Sequence, residues 1–423
     1  MHGTQVRFER QEGGHLLARL TFLLNGLLVL ALTACASGGL GELPPAGLEQ
    51  RESVAPPPRP SAPTYTPGRE APRTPAAPTP ADERTSGFAW VPGEWSTEIV
   101  VPPKPIPATR PARAPTPQVA RRPSRARAGT ELVALEAAPF PFEGSMPGRT
   151  EPFLNVAAEG RKGRRTPSGR VYWADETYSD RRSLIHIPKG FDIARPAMLV
   201  LFFHGHGAKI DRDVWQRQQL PQQLDGSGMN AVLVAPQFAV DARDSSIGRF
   251  WQAGAMKRYL DEAARHLARL YGDPAAAAQF AELPVLVVGY SGGFVPAAFA
   301  LGQPGVSERV AGVVLLDGVY GHVGTFAEWI RQSPQSFLVS GYSRFTQKGN
   351  DQLKAEAERL GVAAMAEMPP RLGRGEVALI RADTRHHDYV TEAWAPNPIA
   401  DVLRRIEGLS PRGTPARVAA TRR

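Results

Sequence analysis

The chain is poor in cysteine: 423 residues carry one, Cys35. A body without further thiols excludes disulfides and thiolate metal sites. At this length a hydrophobic core needs neither. Long apolar runs are also scarce. The one sustained run, residues 20–34, is about 15 residues long, short of the roughly 20 that a membrane-spanning helix needs. No long apolar insertion later in the chain suggests a lid. Acidic residues are missing from 102–129, a stretch that holds Lys104, Arg110, Arg113, Arg121, Arg122, Arg125 and Arg127. The formal charge of +9 therefore describes a tail more than a folded surface. No nucleic-acid-binding motif accompanies that charge, so no nucleic-acid partner is expected.

What is present divides the chain. Residues 1–34 join a polar start bearing Arg7, Arg10 and Arg19 to the short apolar run, as a secretory signal peptide does. The run ends in Leu32-Thr33-Ala34-Cys35. This resembles the lipobox of bacterial lipoproteins, in which the cysteine is lipidated and becomes the new N-terminus. The resemblance implies a membrane anchor at Cys35 and a place in the cell envelope. Ala36 rather than Asp after the cysteine implies the outer membrane in a Gram-negative cell. The polar start is longer than that pattern requires.

Residues 35–130 are rich in proline, alanine and arginine; 21 of the 41 prolines fall in 44–123. Without apolar periodicity such a segment cannot offset its ordering entropy, so a disordered linker is expected. An aromatic island at 88–95 reads as a local turn. The arginines could make weak contact with anionic envelope polymers. A folded domain is expected over 131–409, followed by a basic disordered tail at 410–423.

Within the domain, strands alternate with helices. Strands are expected near 169–178, 182–187, 197–203, 230–235, 286–290, 310–316, 336–340 and 377–382. Helices are expected near 211–224, 249–271, 326–330, 351–360 and 389–406. Continuous apolar runs such as Leu199-Val200-Leu201-Phe202-Phe203 suit strands covered on both faces. The fold class is thus α/β, a mainly parallel sheet flanked by helices on both faces.

The chemistry centres on Leu286-Val287-Val288-Gly289-Tyr290-Ser291-Gly292-Gly293-Phe294. An apolar strand runs into Gly-x-Ser-x-Gly and then a helix, the pattern of a nucleophile elbow. The tight turn needs glycine on both sides and presents the serine hydroxyl at a helix N-terminus. His204-Gly205-His206-Gly207 follows an earlier strand, Asp317-Gly318 ends a later one, and His386-His387 follows the last.

In this order the parts resemble the α/β-hydrolase superfamily over residues 169–408. The resemblance implies Ser291 as nucleophile, with an oxyanion hole from Gly292 and the Gly205–His206 loop. The base is expected at His387, since Val390 follows it by three, with His386 as the alternative. Asp317 is expected as the acid, with Asp351 as its competitor. No cofactor is implied. A metal at the His386-His387 pair is not expected, for want of a further ligand at helical spacing. Tyr290, Tyr320, His322 and Trp251 are candidate pocket residues. The expected activity is that of an envelope-anchored serine esterase. A cell-wall amidase or peptidase and a catalytically silent scaffolding lipoprotein are the alternatives.

Overall fold

A computed structural model describes residues 127–413. The expected leader, Cys35, the aromatic island, nearly all of the linker and the last ten residues lie outside this range. Twelve strands are found among the described residues. They are β1 (Gly129–Ala134), β2 (Val156–Ala158), β3 (Arg161–Arg165), β4 (Val171–Trp173), β5 (Arg182–Ile187), β6 (Met198–Phe203), β7 (Ala231–Pro236), β8 (Val285–Tyr290), β9 (Val310–Leu316), β10 (Phe337–Tyr342), β11 (Ala364–Met365) and β12 (Val377–Arg381).

Nine of them form one sheet in the order β1-β5-β7-β6-β8-β9-β10-β12-β11. β1 and β5 run antiparallel to their neighbours, and the strands from β7 to β11 are parallel. Strands β2, β3 and β4 make a separate antiparallel sheet. This is the expected mainly parallel sheet, covered on both faces. Alternate residues of each central strand enter opposite faces, as the two-residue strand period dictates. In β6, Leu199, Leu201 and Phe203 join one apolar cluster, while Met198, Val200 and Phe202 join the other.

The strand order reverses at β6: the chain passes to β7 on one side, then crosses back to β8 on the other. Such a reversal leaves a crevice beyond the carboxyl ends of the strands. Phe203 pairs with Gly289, and Gly289 with Leu315. The residues that follow β6, β8 and β9 therefore emerge side by side at one edge.

Several element boundaries differ from expectation. The predicted helix over 249–271 is a 3-10 turn, Gly248–Trp251, and a separate helix, Ala255–Tyr271. Gly254, at φ 72°, breaks them. The predicted helix over 211–224 is a π-helical segment, Ile210–Arg217, and a helix, Leu220–Ser227, parted by Gln219 at φ 53°. The closing helix is split into Tyr389–Glu392 and Pro398–Arg405, because Asn397 is left-handed and Pro398 takes the first helical turn. The expected strand over 169–178 is the short β4 and then one helical turn, Ala174–Thr177. β1 begins at Gly129, just inside the stretch assigned by composition to the linker.

Candidate active site

Ser291 follows β8 and is buried, with φ 50°. This left-handed conformation is costly for a residue with a Cβ and persists only where surrounding structure enforces it. The enforcement is visible. A Cβ on Gly289 would lie 2.8 Å from the Gly293 carbonyl oxygen, and one on Gly293 would lie 2.2 Å from that of Phe203. Strand, turn and the helix Phe294–Ala300 can pass this close only with glycine at both positions.

The histidine that reaches Ser291 is His386. Its Nε2 lies 2.9 Å from Ser291 Oγ, and its Nδ1 lies 2.6 Å from Asp317 Oδ2. Ionised Asp317 can only accept, so Nδ1 carries the proton and Nε2 is left to accept from the serine hydroxyl. The expectation of His387 is thereby corrected. The turn His386–Asp388 directs the first histidine inward. The His387 backbone carbonyl instead accepts from Arg217 Nη1 at 3.0 Å. Spacing to Val390 could not separate two adjacent residues that a short 3-10 turn sends in different directions.

Asp317 ends β9 with φ 45° and is fully buried. The hydroxyl of Ser343 donates to both carboxylate oxygens, at 2.8 and 2.9 Å, and the Ser343 amide donates to one at 2.9 Å. Thr346 donates a further bond. Burial pushes the Asp317 pKa up, but the bonds from His386, Thr346 and Ser343 outweigh it and hold the group below the ordinary carboxylate value. Asp351, the competing acid, is exposed on the helix Gln347–Arg359, away from this cluster. Ser343 and Thr346 escaped sequence reasoning. A serine and a threonine just past a strand give no signal until Asp317 is placed beside them.

The loop after β6 closes over Ser291. A Cβ on Gly205 would meet Ser291 Cβ at 2.8 Å, and one on Gly292 would meet the His206 ring at 2.6 Å. His204 fixes this loop. Its Nε2 accepts from the Phe238 amide at 2.9 Å, so its Nδ1 carries the proton and donates to the Gly205 carbonyl at 2.8 Å. His206 Nε2 lies 2.5 Å from Ser245 Oγ. Burial pushes the His206 pKa down to about 4, which keeps the ring neutral.

Ser291, His386, His206 and Ser343 line a cavity of about 670 Å³ that also takes in Tyr290 and Tyr320. Trp251 instead packs against Phe142 and Phe153 in the core. His322 packs between Phe294 and Phe299. Among the described residues no group of three or more metal-ligating side chains is found.

No protein-family model and no curated protein matches the chain. Solved structures to which the chain is similar include an S-formylglutathione hydrolase from Agrobacterium tumefaciens. It is 12% identical, with 59% of this chain and 97% of that one covered and a TM-score of 0.34. Another is an IroE-like serine hydrolase from Shewanella oneidensis, 15% identical over 54% and 75% of the two chains, with a TM-score of 0.33. A third is the carboxylesterase EstE1 from a metagenomic library, 14% identical over 54% and 85%, with a TM-score of 0.33. The chain's own strand order, its reversal at β6 and the strained turn at Ser291 define its fold.

Proposed function

We propose that residues 127–413 form a serine hydrolase that cleaves acyl esters through an acyl-enzyme. The observation that carries this reading is His386, bonded on one side to Ser291 and on the other to Asp317. Ser291 Oγ attacks the acyl carbon as its proton passes to His386 Nε2. Asp317 holds the resulting imidazolium in place. The amides of Gly292 and His206 are the proposed donors to the oxyanion. The tetrahedral intermediate then collapses, and His386 returns the proton to the departing alcohol oxygen. A water molecule gives a proton to His386 and attacks the acyl carbon; His386 returns that proton to Ser291 Oγ as the acyl–oxygen bond breaks, releasing the acid and free Ser291.

In the same proposal, Cys35 carries a lipid and the proline-rich stretch tethers the enzyme to an envelope membrane. Support comes from the single cysteine and its lipobox-like setting. Cys35→Ser should release the protein from the membrane fraction; retention unchanged would remove the anchor.

The test of the hydrolase is labelling of the full chain with a fluorophosphonate. Wild type and His387→Ala should label, whereas Ser291→Ala and His386→Ala should not. A folded wild-type protein that fails to label has no activated serine, and the proposal falls.

A further inference from the structure

The cavity above Ser291 is lined by four arginines and two aspartates. Three of the arginines are already engaged. Arg212 pairs with Asp213 and Asp241, Arg217 with Asp213, and Arg385 with Asp388. Arg344 differs. Among the described residues it has no carboxylate partner, and its guanidinium lies over the ring of Phe345, 4.8 Å from the centroid. Phe345 is itself 49% exposed, one of two exposed large apolar side chains among the described residues. An arginine and a phenylalanine thus stand exposed side by side at the cavity wall.

Their mounting is rigid. The residues before and after the pair, Ser343 and Thr346, both donate to buried Asp317. The Phe345 amide donates to Ser343 Oγ at 3.1 Å. Two anchors on the acid of the site thus bracket two residues that line its cavity. A guanidinium beside an aromatic face matches a ligand with a planar apolar group and a carboxylate, the first stacking and the second bonding to the fork. The lining keeps a net positive charge, which attracts anions into the cleft.

We propose that Arg344 and Phe345 form a specificity subsite for esters bearing an aromatic carboxylate. The inference rests on the hydrolase proposal above and names its substrate class.

The test uses the full chain and two matched pairs of esters. One pair is 4-acetoxybenzoate and 4-acetoxybenzamide, which differ in the leaving group. The other is monomethyl terephthalate and its carboxamide, which differ in the acyl group. Wild type should favour the anionic member of at least one pair, read as the ratio of kcat/KM values. In Arg344→Gln that ratio should fall by about five- to tenfold, mostly through KM of the anionic ester. In Phe345→Ala the KM of both members of the favoured pair should rise together. Arg359→Gln, on the outer face of the helix Gln347–Arg359, should leave the ratio as in wild type.

A ratio unmoved by Arg344→Gln in both pairs overturns the subsite while hydrolysis of the neutral esters keeps the hydrolase proposal standing. A folded wild type that cleaves none of the four and resists the fluorophosphonate brings down both.

Discussion

The hydroxyl of Tyr290 donates to the backbone carbonyl of His386 at 2.9 Å, and its ring stacks on the imidazole with centroids 5.3 Å apart at 28°. The residue just before Ser291 therefore fixes the backbone and ring of His386. Ser291 and the contact that holds His386 come from adjacent residues, so a shift in one is followed by the other. Burial raises the Tyr290 pKa, so the phenol keeps its proton and remains a donor.

Tyr290→Phe keeps the stacked ring and removes only the donor. We expect kcat on an activated ester to fall about ten- to a hundredfold, since small misplacement of a base is costly, with KM little changed. Steady-state kinetics with circular dichroism to verify folding provide the check. An unchanged kcat would show that the turn at His386 holds itself.

The cage around Asp317 makes a prediction about acid. The native pKa of this group lies below its ordinary value, so its stabilisation is present above the unfolded pKa of about 3.9 and is lost as pH falls through the native value. Ser343→Ala removes the hydroxyl bonded to both oxygens and reduces the shift. At pH 7 the variant should be less stable by about 1–3 kcal/mol. That gap should narrow below pH 4, where wild type also loses the ionised form. Denaturant melts at several pH values measure it; a gap constant with pH would assign the loss to packing alone.

Gly293→Ala tests the close approach at the elbow. The added methyl would sit 2.2 Å from the Phe203 carbonyl oxygen, backbone that cannot rotate away. Strand β6 and the turn must separate, at a cost of roughly 1–3 kcal/mol or more. Thermal melting should register that loss, and fluorophosphonate labelling should fall with it. Normal labelling in a destabilised variant would mean that the turn tolerates the shift.

His322 carries a different pH signature. Burial pushes its pKa down to about 4, below the unfolded value of about 6.5. As pH falls from 6.5 toward 4 the unfolded chain takes up a proton that the native ring refuses. Native stability therefore declines in that window, by at most about 1.4 kcal/mol per pH unit for this group. His322→Asn suits the left-handed backbone at φ 55° and removes the titration. The decline of Tm between pH 6.5 and 4 should be shallower in the variant, whatever its Tm at pH 7. An equal slope would place the ring in contact with water.

Much of this layout is legible in the residues. Runs such as those of β6 and β8 are apolar at every position, and only a strand covered on both faces accounts for that at such short length. The glycines around Ser291 and the aspartate at the end of β9 announce a turn and a buried charge. What stayed hidden depends on three-dimensional pairing. β3 is Arg161-Lys162-Gly163-Arg164-Arg165, four cations around one glycine. Yet Arg164 is buried, with its guanidinium over Phe153 and its Nε 3.5 Å from Asp244. Nothing near it in sequence foretells that carboxylate. The choice between His386 and His387 was equally out of reach, because it turns on which way a single 3-10 turn faces.

The place of β12 in the sheet has a consequence for how the protein comes into being. Ser291 and Asp317 are delivered by β8 and β9, but His386 hangs from β12, which takes its place only between β10 and β11. During synthesis β8 can assemble well before His386 exists. A chain cut between residues 291 and 386 carries Ser291 without the imidazole that bonds to its hydroxyl. Under the proposed mechanism reactivity would therefore arrive late and all at once, and a newly made or damaged chain would stay inert until β12 and the turn after it have joined the sheet.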